Sequence, residues 1–357
     1  MERILIVSMF PKEETPYASY YIDVIESKKK AYDILYWNRN ETKKNDIIGN
    51  EIYFNVEAKT GGKKYKKIVR MIRYAQFIRR TLKKKNYTKV VVLTTRPGIF
   101  LFDRLIRKFK NKYILDIRDY TNEQQFFYAW IEKKLITHSF RTVISSDGFR
   151  TFLPQEVDYL NVHNISNQND WVSFAEDMNH KASILIGFVG NVRYEKENTL
   201  LIKKLSRDER FVAGYWGRVT NDFKLNNKTS FDNAVFFGPF INEEKSDIYK
   251  KIDIINALYG KDSLEVTTAI PNRFYDALIF KKPIIASKGT YLGEMVQRSG
   301  IGLVVDIEKE DIVAPLLDYI AHFDPALFVD RCTRIYEACL KDQATFLANI
   351  EDFLDQQ

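Results

Sequence analysis

The segment 270–294 carries the residue types best suited to binding a charged ligand. Pro271 lacks a backbone N–H and Asn272 is a favoured N-cap, so the pattern predicts a helix that starts at Arg273. The free N–H groups at such a helix start attract phosphate, and Arg273 adds a guanidinium for the same group. Asp276 follows about one turn later, where a carboxylate can accept two hydrogen bonds from a ribose diol. These contacts suit the diphosphate and ribose of a nucleotide-linked sugar.

The chain after this helix supplies a second group of contacts. The two lysines before Pro283 end the helix, and the apolar run 284–286 is typical of a buried parallel strand. Gly289 and Thr290 follow that strand. Their backbone amides are therefore expected at its carboxyl end, where open α/β sheets bind ligands.

The same segment resembles the donor-binding signature of GT-B glycosyltransferases of the family-4 type, especially the bacterial enzymes of capsular and surface polysaccharide synthesis. Those enzymes carry PNK-(L/F)-YE followed by GKP-(I/V)-(I/V), where this chain has PNRFYD and KKPII. Arg273 therefore stands at the family's Lys and Asp276 at its Glu, and both replacements keep the charge. The alternative interpretation is an ordinary capped helix that leads into a core strand.

A glycine-rich strand end, GFVGNVRYEKEN, offers cations for the diphosphate. Gly190 ends the predicted strand, and Arg193 and Lys196 follow it. The resembling enzymes place an Arg and, five residues later, a Lys here to neutralise the leaving diphosphate. Asn191 stands five residues before Lys196, so the resemblance assigns the role to Arg193 and Lys196, as in the capsule-type GNIRY variant. The alternative is that Lys196 is a surface charge.

The resemblance implies further contacts and one departure. The family often has two Glu residues eight apart, but Thr268 stands eight residues before Asp276, so the first acidic position is missing. Capsule-type relatives share the Tyr-Gly-x-Asp-Ser loop that lies here at 259–263. This loop implies contacts to the donor from Tyr259 and Asp262.

Asp119 is the candidate residue on the acceptor side. The segment DIRDY at 116–120 ends a predicted parallel strand and resembles the DxRD segment of surface-polysaccharide transferases. A carboxylate there can accept the proton of the acceptor hydroxyl or orient the acceptor. The alternative is that Asp119 caps the following helix.

Positive charge is concentrated in the first half of the chain. Residues 1–165 hold 32 Lys/Arg and 18 Asp/Glu, whereas residues 166–357 hold 23 and 29. The stretch 59–85 has 12 basic residues, no acidic one and apolar residues at helical spacing, which predicts a basic amphipathic helix. It either binds an anionic membrane surface or packs its apolar stripe on the sheet while its lysines face water. Nucleic-acid binding is not expected, because no aromatic stacking platform accompanies the charge.

Short apolar segments alternate with helical patterns along most of the chain. This alternation predicts an α/β protein with two Rossmann-like, doubly wound domains, which in the resembling GT-B fold face each other across a cleft. The predicted domains are 1–170, which binds the acceptor, and 171–357, which binds the nucleotide sugar and whose last helices cross back to the first. The predicted strands are 3–9, 32–36, 89–94, 112–117, 142–145, 183–190, 211–216, 235–237, 252–257 and 284–286. The predicted helices are 18–30, 59–85, 99–109, 122–137 and 198–205, with a mostly helical stretch at 311–354.

Several absences in the sequence narrow the classes of function. It contains neither 18 consecutive apolar residues nor a secretory signal, so we expect a cytoplasmic chain, peripheral on the inner face of the plasma membrane. Cys332 and Cys339 are seven residues apart in a helical pattern, about 10 Å along the axis, which is too far for a disulfide. The four histidines lack metal-ligand spacing and no Asp-x-Asp occurs, so we expect neither a metal nor a cofactor.

The resemblance implies a retaining, metal-independent glycosyltransferase. It would move a sugar from a nucleotide-sugar donor to a lipid-linked saccharide acceptor in surface polysaccharide synthesis, while cations and a helix end stabilise the departing diphosphate. A UDP-sugar 2-epimerase of the same architecture is the alternative enzyme, and a nucleic-acid-binding protein is the non-enzymatic alternative. A dinucleotide oxidoreductase is disfavoured, because no G-x-G-x-x-G follows the first strand.

Overall fold

The computed structural model describes residues 2–39, 47–58, 64–165, 175–219 and 231–356. By internal contacts the chain divides into two units. The first unit comprises Met1–His163 and Lys341–Gln357, and the second comprises Asn164–Leu340. The predicted boundary at residue 170 lies outside the described residues. Each unit is built on a mainly parallel sheet with helices between its strands, so the predicted class of two Rossmann-like domains is confirmed.

The described part of the first unit forms an eight-stranded sheet. Its strands are β1 Arg3–Ser8, β2 Ala31–Asn38, β3 Ile47–Ile48, β4 Glu51–Asn55, β5 Lys89–Leu93, β6 Tyr113–Ile117, β7 Arg141–Ile144 and β8 Tyr159–Asn161. Their spatial order is β3-β4-β2-β1-β5-β6-β7-β8, and only the β3–β4 pair is antiparallel. The apolar strand β5 is buried along its whole length, as expected for a central parallel strand covered on both faces.

Helices of the first unit connect these strands. They are α1 Ser19–Ser27, α2 Lys64–Lys84, α3 Thr95–Phe100, α4 Phe102–Leu105 and α5 Phe126–His138, with 3₁₀ turns at Lys12–Glu14, Pro16–Ala18 and Asp147–Thr151. A helix that joins two parallel strands runs back along the sheet, so it begins at the edge where strands end. Helices α2, α3 and α5 therefore begin at the carboxyl edge of this sheet.

Two predicted helices of the first unit start at the wrong residue. The predicted helix 99–109 begins at Thr95 as α3, because Pro97 falls in the first turn, where its missing N–H is tolerated. The predicted helix 122–137 begins only at Phe126. The Glu123 side chain accepts a hydrogen bond from the Thr121 amide, which holds the preceding residues in a turn. Strands β3, β4 and β8 lie outside every predicted strand.

The second unit contains a six-stranded parallel sheet in its described part. Its strands are β9 Ile184–Val189, β10 Phe211–Trp216, β11 Ala234–Gly238, β12 Ile254–Ala257, β13 Ile284–Ser287 and β14 Gly302–Val305. Their order is β11-β10-β9-β12-β13-β14, with parallel pairing throughout. Strand β14 was not predicted, because a four-residue apolar run is too short to distinguish from a helix segment.

The helices of the second unit include one that contributes to both units. They are α6 Glu195–Leu205, α7 Lys245–Lys251, α8 Leu264–Thr268, α9 Asn272–Phe280, α10 Tyr291–Ser299, α11 Val313–Ala321 and α12 Pro325–Asp355, with a 3₁₀ turn at Asn242–Glu244. Phe328 and Cys332 of α12 pack in the core of the second unit, whereas Phe346 and Phe353 pack in that of the first. No helix among the described residues is long and apolar enough to cross a membrane.

Candidate functional site

Three loops of the second unit and the start of α9 lie at the edge of its sheet around the point where the strand order reverses. The chain leaves β9 towards β10 and β11, and leaves β12 towards β13 and β14 in the opposite direction. The loops after β9 and β12 therefore flank the switch point, which is where open parallel sheets bind ligands. Gly190 and Arg193 lie in the first of these loops, and Tyr259 and Asp262 lie in the second. The loop that carries Gly289 follows β13, and α9 begins at the same edge.

Two buried asparagines hold the loops after β9 and β12 together. Asn198 Nδ2 donates to the carbonyl oxygens of Arg193 and Tyr194, at 2.8 and 3.0 Å. Asn256 Nδ2 donates to Asn198 Oδ1 at 2.9 Å, and Asn256 Oδ1 accepts from the Leu258 amide at 3.0 Å. Because both amides are buried and bonded, the two loops have a fixed spacing at the switch point.

Arg273 is the most firmly placed cation of this edge. Its guanidinium carbon lies 3.6 Å from the centroid of the Phe188 ring and 4.9 Å from that of Tyr259. Nη1 donates to the carbonyl oxygen of Asn256 at 3.0 Å. Among the described residues no carboxylate pairs with Arg273, which is only 8% exposed. A buried, stacked and unneutralised guanidinium at a helix start is suited to a phosphate ligand.

Tyr259 supports this arrangement through its backbone and its ring. Ser287 Oγ accepts from the Tyr259 amide at 2.9 Å and donates to its carbonyl oxygen at 2.8 Å. The ring meets that of Tyr194 edge to face, with centroids 5.0 Å apart. Burial raises the pKa of Tyr259 to about 12, while Arg273 opposes the rise, so the hydroxyl is protonated at neutral pH.

Asp276 is engaged by side chains of α7. Lys245 Nζ lies 2.6 Å from Oδ1, and the Tyr249 hydroxyl donates to Oδ2 at 2.7 Å. The residue is 5% exposed. A ribose diol would have to compete with both partners for the same oxygens, so the ribose contact stays a prediction while the present structure assigns Asp276 to a buried ion pair.

Replacing Asp276 with Asn is expected to lower the free energy of unfolding by about 2–3 kcal/mol, because Lys245 then loses its counter-charge in a mostly buried setting. Urea unfolding at pH 7 measures the change. Asp330→Asn is the matched control, since Asp330 pairs with Arg334 on the exposed face of α12 and should change stability by under about 0.5 kcal/mol. Unchanged stability together with weaker nucleotide binding would instead support a direct ribose contact.

The remaining predicted donor contacts have different surroundings. Asn272 is the first residue of α9, and the N-cap is Pro271, so the predicted capping role of Asn272 is wrong by one residue. The Asn272 side-chain oxygen accepts from Asn164 Nδ2 at 3.2 Å instead. Thr290 is the N-cap of α10, where its buried hydroxyl accepts from the Gly293 amide and donates to Ser287 O. Only its backbone amide is left for the predicted ligand contact.

The two cations after β9 differ in their partners. Lys196 is exposed, and its ammonium lies 2.8 Å from Glu308, so it resembles the surface charge of the alternative interpretation. Arg193 is exposed and has no hydrogen bond or ion pair to the other described residues from its side chain. Asp262 and Gly289 are exposed as well, and Gly289 has a φ of +81°. Of this group, Arg193 is the better placed to meet an incoming anion.

The first unit presents Asp119 beyond the end of β6. Arg118 forms two hydrogen bonds with Asp116, at 2.6 and 2.8 Å, and the Tyr21 hydroxyl donates to Asp116 at 2.7 Å. This buried group anchors the loop and leaves Asp119 exposed. Desolvation by the surrounding protein raises the pKa of the Asp119 carboxyl, with Arg118 and Arg96 opposing. The N-cap of α5 is Gln125, so Asp119 does not cap that helix.

A buried carboxyl pair lies near this loop. Thr95 Oγ1 donates to Glu132 at 2.8 Å, and burial followed by repulsion from Glu123 raises the pKa of Glu132 to about 8. The unfolded chain releases this proton near pH 4.5, so between about pH 4.5 and 8 the native state binds more protons and loses stability as pH rises.

Glu132→Gln is therefore expected to raise the free energy of unfolding at pH 8 by roughly 1–3 kcal/mol, because a neutral amide keeps the hydrogen bond from Thr95 without the buried charge. Unfolding curves at pH 6, 7 and 8 check this, with the exposed Glu337→Gln as control. A variant that loses stability with pH as steeply as the parent would contradict the assignment.

No group of three His, Cys, Asp or Glu side chains in the described part of the chain is arranged to hold a metal ion. Cys332 and Cys339 are both buried, and no disulfide joins them.

Comparison with known structures decides the architecture. Sucrose-phosphate synthase from Thermosynechococcus elongatus is 12% identical with a TM-score of 0.67, over 99% of this chain and 95% of that chain. The apo lipopolysaccharide outer core galactosyltransferase WaaB is 14% identical with a TM-score of 0.65, over 99% of both chains. HepE from Anabaena, in complex with UDP and glucose, is 12% identical with a TM-score of 0.63, over 100% of both chains.

The chain has the GT-B fold. No protein-family model matches its sequence, and no curated protein matches it. At 12–14% identity the likeness concerns the path of the backbone, so the chemistry of this GT-B chain rests on its own residues.

Several residues that shape the site were missed from sequence. Asn198 and Asn256 space the loops, Phe188 supports Arg273, and Lys245 pairs with Asp276. Asn256 carried a signal, because a polar residue inside the apolar strand IINA requires a buried partner. Phe188 and Lys245 had none, since each meets its partner only through the fold.

Proposed function

We propose that the chain is a glycosyltransferase that binds a nucleotide sugar at the carboxyl edge of the second sheet and transfers the sugar to an acceptor bound by the first unit. The observation that carries this proposal is Arg273, stacked on Phe188 and Tyr259 at the switch point of a GT-B fold without a carboxylate partner among the described residues. Its charge, its burial and its helix-start position all suit the diphosphate of such a donor.

The proposed chemistry breaks the bond between the anomeric carbon and the diphosphate oxygen and forms one to the acceptor hydroxyl oxygen. Negative charge grows on the departing diphosphate, where Arg273, Arg193 and the free amides at the start of α9 stabilise it without a metal ion. Asp119 orients the acceptor or accepts its proton, and a raised pKa suits that role. The resemblance to family-4 enzymes favours retention of anomeric configuration.

A lipid-linked saccharide in surface polysaccharide synthesis is the proposed acceptor, and α2 supports it. The C-terminal half of α2 buries Tyr74, Ile78 and Leu82, as the packing interpretation of the stripe requires. Its N-terminal half leaves apolar residues more than half exposed, among them Tyr65 and Ile68 at 58% and 57%. Lysines and arginines accompany these residues, so this half suits an anionic membrane surface. Residues 59–63 of the predicted helix lie outside the described part.

The start of α5 adds aromatic residues at the same carboxyl edge of the first sheet. Phe126 and Phe127 are 85% and 71% exposed, and Trp130 is also exposed. Helices α2 and α5 both begin at this edge, which also carries Asp119. A membrane that received these side chains would bring a lipid-linked acceptor to the loop of Asp119.

Membrane attachment predicts position-dependent losses along α2. Lys66→Ser with Lys67→Ser is expected to weaken binding to vesicles of phosphatidylglycerol and phosphatidylcholine roughly 10- to 30-fold at low salt, at about 1 kcal/mol per cation. Lys83→Ser with Lys84→Ser removes the same charge from the other end of α2 and should change binding less than about twofold. Cosedimentation measures both, and equal losses would contradict a docking role for the N-terminal half.

The activity test uses UDP-glucose, UDP-galactose and UDP-N-acetylglucosamine, because HepE is seen with UDP-glucose. We expect the protein to release UDP from a donor in the presence of EDTA. We also expect a polyprenyl-diphosphate-linked saccharide to increase this release. Magnetic resonance of the product then reports the anomeric configuration. Epimerised sugar that forms without any acceptor would overturn the transferase in favour of a UDP-sugar epimerase.

A further inference from the structure

Two arginines without an acidic partner lie at the carboxyl edge of the first sheet. Arg39 follows β2 directly. Arg96 is the second residue of α3, whose N-cap Thr94 follows β5. Strand β1 lies between β2 and β5 in the sheet. Both arginines therefore border the loop that follows β1. Neither is ion-paired with any carboxylate in the described part of the chain.

Arg39 is held in place by neighbours that do not neutralise it. Its Nη2 donates to the carbonyl oxygen of Met9 at 2.8 Å, and its guanidinium carbon lies 4.7 Å from the centroid of Phe10 and 5.1 Å from that of Trp37. Burial lowers the pKa of Arg39, and the nearby charge of Arg96 adds to this, whereas Glu14 opposes it. The two guanidiniums are thus close enough to repel each other.

Each arginine also has a donor without a hydrogen-bond partner. The Nε atoms of Arg39 and Arg96 are buried, and neither has a hydrogen-bond partner among the described residues. A buried donor without an acceptor loses hydrogen-bond energy, and the repulsion between the two like charges adds to this loss. A bound anion with several oxygens relieves both losses at once, which is how paired guanidiniums recognise phosphate.

Arg39 and Arg96 lie where the strand order of the first sheet reverses, as the predicted donor residues do in the second sheet. Connections from β1 run towards β2 and β4, whereas those from β5 run towards β6 and β7, so the strand order reverses between β1 and β5. The charge of Arg96 also acts on Asp119, because it opposes the rise in the pKa of that carboxyl group. An anion at this point would lie beside the candidate residue on the acceptor side.

We propose that Arg39 and Arg96 form a binding site for a phosphate group of the acceptor, a role that rests on the proposed transferase function. The phosphate belongs either to a soluble sugar phosphate or to the diphosphate of a polyprenyl-linked saccharide. Both offer the same non-bridging oxygens to the two guanidiniums.

The test measures two probes on the full chain with UDP present to occupy the donor site. Calorimetry follows glucose 6-phosphate, and cosedimentation follows phosphatidylcholine vesicles doped with a polyprenyl diphosphate. We expect one probe to bind and its affinity to fall roughly 10-fold in Arg39→Gln or Arg96→Gln and about 100-fold in the double variant. Arg107→Gln, at an exposed arginine after α4, is the control and should leave it unchanged.

The outcomes separate this site from the proposed function. UDP binding by each variant reports that the second unit is folded and active in binding. If UDP binds but neither phosphate probe does, or if the double variant binds its probe like the parent, the phosphate site is overturned and the transferase proposal stands. If the parent fails to bind UDP at all, the transferase proposal fails instead.

Discussion

Replacing Arg273 with methionine should reduce sugar transfer by roughly 100- to 1,000-fold, the usual effect of removing one charged donor from a developing oxyanion. Methionine keeps an unbranched apolar stem against Phe188, so packing is largely preserved. The loss should appear both in UDP affinity and in kcat, because the diphosphate is bound in the ground state and gains charge during reaction. Calorimetry and UDP-release kinetics measure the two parts.

Two further variants test the interpretation of Arg273. Arg273→Lys keeps the charge but loses the planar stacking and the fork of donors, so we expect an intermediate loss of roughly 10-fold. Arg298→Met removes an exposed arginine from α10 and should leave transfer unchanged. Full activity in Arg273→Met, with an intact fold by circular dichroism, would remove Arg273 from the donor site.

Gly217→Ala is expected to lower the free energy of unfolding of the second unit by roughly 3–5 kcal/mol. Gly217 follows β10 with a φ of +137°, a conformation that side chains rarely adopt. A Cβ there would lie 1.9 Å from the carbonyl oxygen of Gly190, so the backbone of the loop after β9 must move. Because Gly190 also donates to Trp216 at 2.9 Å, the shift should disturb both loops.

Gly238→Ala is the matched control for this effect. Gly238 has a φ of +84°, but a Cβ there meets nothing within 4 Å. We expect only the strain of the backbone conformation, about 1–2 kcal/mol. Urea unfolding and UDP binding compare the two variants. Equal stability losses, with UDP affinity intact in both, would show that contact with Gly190 carries no additional energy.

Regular elements were the most predictable part of this chain. The continuous β-branched run of β5 predicted a buried parallel strand, and Lys281 ends α9 in a left-handed conformation where the lysines before Pro283 predicted a stop. These features depend on neighbours within a few residues. Short or mixed segments, such as β8 and β14, were missed because their pairing partners decide them.

The candidate site was predictable in its residues and less so in their partners. Arg273 was selected by its position after Pro271, but its stacking on Phe188 joins residues 85 positions apart. The predicted ribose contact of Asp276 does not account for Lys245 and Tyr249, because nothing in PNRFYD shows that they approach it from α7. The sequence predicts one continuous apolar stripe along α2, whereas only the second half of that stripe is buried.

The sequence by itself determined the alternation of strands and helices in both halves, the glycine turns at strand ends and the excess of positive charge in the first half. Local periodicity and backbone preference are sufficient for these. Only the tertiary structure decided which charges meet and which remain unpaired. Arg39 and Arg96 become neighbours because β1 lies between β2 and β5, and that strand order follows from how the helices cross the sheet, which spacing along the chain does not encode.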